Sequence, residues 1–413
     1  MDAIYYDLKI HRVSWITIYH CLKNRCIIAC NMEYVDVAKK PRIRTLDSLR
    51  GIASLSVVAS HILGLHLYLS LRLSPFYIIM AGHEAVIFFF VLSGYVLTYQ
   101  YSSNPVYSYH RFLLQRIIRI YIPYIISIFL CIVLLLICKP AHLGDAWIHI
   151  MWSAPITYEL ILKHIFFISN FNTKAFNPVI WSLVHEMRMA ILFPVLLYFL
   201  KLKPAKAFII LFTVSIIAMV VIAFNIEPSF GFLNSFSYTL YYFYIFFVGG
   251  LIARYQQALT LFYSSLSPNK KIVSIIGAIL LYNYSNFIPS LLVNKHLPAM
   301  AIEPVSTMVG DLLTAIASYY LIIAAISTSN NKVLISKIPL FFGKISYSLY
   351  LIHLPTLAFI YFTLYGKIST PIILCIGFIV SLLLAAIFNK YVEKPAMGMS
   401  KHNLLNNQAE KRL

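Results

Sequence analysis

Arg50 and His61 stand eleven residues apart in the stretch LDSLRGIASLSVVASHI, residues 46–62, with only small and apolar side chains between them. At 1.5 Å per residue a helix carries His61 about 16 Å beyond Arg50, and eleven residues is close to three full turns, so the two share a face. A guanidinium at the mouth of such a helix can hold a phosphate. An imidazole whose pKa stays near neutral can take a proton from a hydroxyl as that oxygen attacks an activated carbonyl. The spacing fits one elongated molecule lying along the helix, anionic at its head and reactive at its far end.

Other polar residues interrupt oily runs in the same way. Arg111, Arg116 and Arg119 enter an apolar stretch in SYHRFLLQRIIRIYIPY, and the last two, three apart, lie on neighbouring faces. They either snorkel to lipid phosphates or join Arg50 in a forked grip on a multiply phosphorylated carrier. WSLVHEMRMAILFP holds His185, Glu186 and Arg188. A carboxylate in hydrocarbon must be paired or protonated. Glu186 therefore either salt-bridges Arg188 or another helix's arginine as architecture, or orients an imidazole and shares in proton transfer. In GKISYSLYLIHLP, Tyr347, Tyr350 and His353 recur every three residues. They line one wall, or His353 is a core histidine bonded to a tyrosine. Ser93 and Gly94 permit close helix approach. His83 and Glu84 either greet an acceptor at an external entrance or form a surface pair.

The elements that position these residues must be membrane helices. Of 413 residues 60% are hydrophobic and only 11% charged, against roughly a quarter charged in soluble domains. Ten apolar stretches are long enough to cross about 30 Å of hydrocarbon, near 47–69, 76–99, 117–138, 179–200, 205–224, 237–253, 272–292, 306–326, 340–363 and 371–389. The expected class is all-α, a polytopic membrane protein whose helices enclose an interior site. With the N-terminus inside, 24 lysines and arginines fall on the cytoplasmic side and six on the other, which places both termini in the cytoplasm. The net charge of +19 is scattered at the ends of apolar runs rather than gathered on one domain, so nucleic acid is not an expected partner. The six cysteines show no metal-ligand or disulfide-framework spacing. Residues 1–41 read as a cytoplasmic arm, with Met32 an alternative start, and 397–413 as a cytoplasmic tail. Residues 139–179 are too long for a bare connection and too broken for a clean span. They read as an interfacial or re-entrant helix over a cavity, or as an aromatic belt.

No GxSxG elbow, HExxH metal pair or Walker glycine loop occurs, which removes hydrolase, zincin and nucleotide-driven readings. Acyl transfer employs the most polar residues at once: a cytoplasmic acyl carrier, arginines on its phosphates, and His61 as base for an acceptor hydroxyl. The rival is a proton-coupled secondary transporter, which intramembrane His, Glu and Arg would also suit. Against it, the two halves show no repeat and the charges crowd the cytoplasmic mouths. A non-enzymatic scaffold uses none of these residues.

RTLDSLRGIASLSVVASHI, FFFVLSGYVLTY, RFLLQRIIRIYIPY, WSLVHEMRMAILFP, FFGKISYSLYLIHLP and the closing YVEKP, in that order over residues 42–396, resemble the membrane acyltransferase-3 family. Its bacterial members acetylate O-antigen and other exported polysaccharides. By position the resemblance implies Arg50, Arg116 and Arg119 as donor-binding residues and His61, Glu186 and His353 as catalytic ones. It further implies acyl-coenzyme A, commonly acetyl, as donor substrate with no permanently bound cofactor. The acceptor would be a glycan or lipid-linked sugar hydroxyl on the outer side of a bacterial inner membrane. The sequence departs from the family pattern at Glu84, at Val86–Ile87 and at Met187, departures that bear on the acceptor. No soluble esterase-like domain is expected after YVEKP.

Overall fold

Each of the ten apolar stretches contains one long helix or a broken pair, and no strand occurs among the described residues. The computed structural model describes residues 42–64, 71, 73–102, 108–138, 148, 151–289 and 299–400, all in one unit that starts at Arg42. The arm expected over residues 1–41, and the tail from 401 on, lie outside the described residues. The helices are α1 (Arg44–Leu63), α2 (Gly82–Ser102), α3 (Tyr109–Cys138), α4 (Tyr158–Ile165), α5 (Trp181–Ile191), α6 (Phe193–Lys201), α7 (Pro204–Ala223) and α8 (Phe236–Arg254). They continue with α9 (Gln256–Ser265), α10 (Pro268–Tyr284), α11 (Ala299–Ser327), α12 (Lys337–Leu364) and α13 (Thr370–Phe388).

Among the described residues seven helices are long and apolar enough to cross a membrane, eight if α5 and α6 count as one span bent by 63°. The chain is a multi-pass membrane protein. The two stretches that fall short of the ten have physical reasons. Helix α1 carries Arg44, Asp47 and Arg50 in its first two turns, and α10 spans only 17 residues. The bend between α5 and α6 sits at Pro194, which has no N–H to continue the hydrogen-bond ladder.

Two glycine crossings bring the central helices together. A Cβ on Gly51 of α1 would lie 2.5 Å from the backbone nitrogen of Gly343 on α12, and one on Gly343 would collide with the Asp47 carbonyl. A Cβ on Gly94 of α2 would collide with the Phe246 carbonyl of α8, and one on Gly249 with that of Val91. In a bilayer, where burying apolar surface between helices gains little, such backbone-to-backbone contact supplies the packing. The crossings lie beside Arg50 and Ser93, so they also set where those side chains point.

Prolines inside helices leave carbonyls that the fold must satisfy. Pro355 cannot donate to Leu351, and Asn177 Nδ2 takes that carbonyl at 2.8 Å from the loop before α5. The described part of the 139–179 segment folds back on α3. Tyr121 and Tyr124 hydroxyls donate to the Ile165 and His164 carbonyls at 2.9 Å each, and the Trp152 indole donates to the Phe176 carbonyl at 3.0 Å. Tyr158, which opens helix α4, and Phe166, which follows it, are exposed.

Candidate active site

Helices α1, α2, α3, α5 and α12 surround a cavity of about 100 Å³ that opens to the surface. Arg50, Arg116, Arg119 and Glu186 give it its charge. Tyr347 and Tyr350 form the α12 wall, and Phe89 and Ser93 the α2 wall. Three guanidiniums against one carboxylate make a cationic chamber inside a mostly apolar protein. Arg111 is not among the lining residues.

Direct contacts hold Glu186, Arg116 and Arg188. Glu186 Oε1 lies 3.5 Å from Arg116 Nη1 and accepts from Ser93 Oγ at 3.2 Å. Of the two architectural pairings open for Glu186, the structure shows the one with an arginine of another helix. Arg188 instead gathers backbone oxygens: Ile168, Ser169 and Ser235 carbonyls at 2.9–3.0 Å, with Thr239 Oγ1 at 2.7 Å. His185 is likewise structural, between Thr239 Oγ1 at 3.0 Å and the Leu233 carbonyl at 2.7 Å. Arg50 is repelled by Arg119 and attracted by Asp47, Glu393 and Glu186. Glu393 comes from a π-helical turn, Asn389–Glu393, that follows α13. Its Oε2 accepts from Ser348 Oγ at 2.5 Å and Asn389 Nδ2 at 2.8 Å.

His61 and His353, 292 residues apart, meet: His353 Nε2 is 3.3 Å from His61 Nδ1, with ring centroids 5.2 Å apart and planes tilted by 45°. Each Nδ1 also lies 2.9 Å from the carbonyl four residues back, Val57 for His61 and Leu349 for His353. A carbonyl only accepts, so both rings are assigned the Nδ1–H tautomer, and Nε2 is the basic nitrogen of each. The His61 Nδ1–H, bonded to the Val57 carbonyl, also lies within reach of His353 Nε2 as a shared donor, and the two contacts fix the ring of His61. Tyr350 joins this pair to the cavity. Its ring is 6.2 Å from that of His353, it lines the chamber, and its hydroxyl donates to the Val179 carbonyl at 2.7 Å while meeting Ser182 Oγ at 2.6 Å.

The six residues singled out in the sequence therefore fall into two groups. Arg50, Arg116, Arg119 and Glu186 share the chamber; His61 and His353 form a pair beyond Tyr350. Glu186 makes its contacts with Ser93 and Arg116, on the arginine side. Sequence reasoning missed Asp311, Tyr241 and Glu393, and left His83 and Glu84 open to a surface reading. The structure corrects that reading. Glu84 is fully buried, and His83 Nε2 contacts buried Asp311 Oδ1 at 2.6 Å. A lone acid in VGDLLTAIASYYL was the available signal for Asp311.

The structure thus places a cationic chamber, with a histidine pair beyond Tyr350, inside a helical membrane protein. A family model described as an acyltransferase domain matches residues 43–390, and the chain belongs to this acyltransferase-3 family. It is accordingly an acyltransferase embedded in the membrane. No finding supports the transporter alternative. Comparison with curated proteins and with solved structures gave no match.

Proposed function

We infer that the chamber takes the phosphates of acetyl-coenzyme A from the cytoplasm on Arg50, Arg116 and Arg119, and that the histidine pair performs the transfer. The observation that carries this reading is the arrangement of three arginines and Tyr350 in one cavity with His353 and His61 behind. Guanidinium forks suit phosphate oxygens, and Glu186 braces Arg116 and limits the excess positive charge until the donor arrives. The thioester then reaches past Tyr350 toward the histidines. His61 Nε2 takes the proton of an acceptor sugar hydroxyl while that oxygen attacks the thioester carbonyl. Collapse breaks the C–S bond, and the proton passes to the leaving thiolate, so ester and thiol form with no net proton released. The Val57 carbonyl holds His61 in the required tautomer, and His353 holds its ring in place.

Ten spans in a bacterial inner membrane, both termini cytoplasmic, complete the reading. Residues 42–396 form the acyltransferase unit, and the glycan or lipid-linked sugar enters from the outer side. The bias of positive charge supports that orientation. The test is mass spectrometry of surface polysaccharide from cells with the intact protein, without it, and with His61→Ala. One acetyl mass increment, absent in both latter cases while the variant still resides in the membrane, is the expected result. Normal acetylation by the variant would remove His61 as base.

A further inference from the structure

A second polar cluster lies at the end of the bundle away from the arginines. A Cβ on Gly82, which opens α2, would strike Ser60, the residue before His61 and ten residues, about 15 Å of helix, from Arg50. From there His83 reaches Asp311 Oδ1 of α11 at 2.6 Å, while Asp311 Oδ2 accepts from Tyr241 OH of α8 at 2.8 Å. Glu84 Oε1 accepts from Asn286 Nδ2 at 2.6 Å and from Tyr77 OH at 3.2 Å. Gly310 leaves room for the Asn286 amide: a Cβ there would press on Asn286 Oδ1.

One side of this assembly is incomplete. Glu84 is fully buried, yet Oε2 has no hydrogen-bond partner among the described residues, and neither has Oδ1 of Asn283, which is 3% exposed. Burying such acceptors unmade is costly, and both call for the same complement, an O–H or N–H donor. His83, its side chain 31% exposed, is the member of the cluster open to an arriving molecule. Asp311 is already matched by His83 at 2.6 Å, and buried Glu84 disfavours an anion here, because bringing a further negative charge beside its carboxyl group out of water is opposed by repulsion.

We propose that Glu84, with His83 beside it, binds the acceptor as a neutral, hydroxyl-bearing sugar ring and presents one of its hydroxyls to His61. The proposal rests on the acyl-transfer reading above and assigns it the acceptor side. Tyr77, Asn286, Asp311 and Tyr241 are positioning residues that hold Glu84 and His83. Glu84→Gln is the sharp variant, since Oε1 keeps its two donors while an NH₂ group replaces the acceptor oxygen.

The assay uses the full chain in nanodiscs, acetyl-coenzyme A, and unmodified surface glycan extracted from cells lacking the protein. Glu84→Gln is expected to raise KM for the glycan at least about tenfold, the scale of one hydrogen bond to a charged group, with kcat and acetyl-coenzyme A affinity within twofold. Tyr77→Phe, which leaves the cluster packed, is expected to shift the same KM by a smaller factor in the same direction. Unchanged glycan KM in both variants, or acetyl found on an acidic sugar, overturns the proposal alone. No glycan acetylation by the unaltered protein overturns it together with the acyl-transfer reading.

Discussion

Glu186→Gln separates a donor-binding chamber from a structural ion pair, because the two roles give opposite signs. Glu186 Oε1 lies 3.5 Å from Arg116 Nη1, with side-chain exposures of 27% and 8%. At an effective dielectric of about 20 that separation corresponds to a gross attraction of about 5 kcal/mol. Water reaching Glu186 at the open mouth, and the glutamine oxygen that still accepts from Ser93 and Arg116, leave a net effect of about 1–2 kcal/mol. A phosphate that must displace the carboxylate from Arg116 loses that amount in the unaltered protein and regains it in the variant. Coenzyme A should therefore bind Glu186→Gln roughly 5–30-fold more tightly, and Arg116→Gln at least about tenfold more weakly. Calorimetric titration of coenzyme A into nanodisc-embedded protein reads both without turnover, and added salt should shrink both differences. Weaker or equal binding by Glu186→Gln, with no loss in Arg116→Gln, would refute the chamber as the phosphate site.

Two further perturbations test the frame around the site. Gly51→Val should abolish folded protein in detergent, because the new Cβ meets backbone atoms of Phe342 and Gly343 that cannot swing aside, whereas Gly277→Ala, with open space around it, should stabilise α10 by up to about 1 kcal/mol; thermal unfolding monitored by fluorescence compares them, and equal midpoints would contradict the close crossing. Outside the membrane, burial opposes ionisation of Glu227, but the Ser237 hydroxyl, the amides of Phe236 and Ser237 and the charge of Arg188 outweigh it and hold its pKa below the ordinary carboxylate value. A depressed carboxylate stabilises the folded state above its unfolded pKa of about 4.3 and loses that contribution as pH falls through the lower folded value. Glu227→Gln should thus lower the melting temperature at pH 7 and flatten its decline below about pH 4; a parallel decline in both proteins would show that this cap of α8 does not titrate with folding.

The sequence by itself determined the helical, membrane-embedded class, since long apolar runs in lipid can satisfy their backbone only as helices. It also placed Arg50 and His61 on one face of one helix, because that relation is local and follows from helical rise and pitch alone. The ordered motifs further carried the family, which spans residues 43–390. Tertiary structure decided everything that depends on how one helix is rotated against another. The meeting of His61 with His353 across 292 residues, the pairing of Glu186 with Arg116 rather than Arg188, and the burial of Glu84 beside the His83–Asp311 pair are of this kind. Hydrophobic periodicity shows which residues are oily, but in a protein with lipid outside and packed side chains inside both faces of a helix are apolar, so the pattern does not tell which polar residue faces which partner. The glycine crossings at Gly51–Gly343 and Gly94–Gly249 settle that rotation, by contacts that exist only once distant segments have come together.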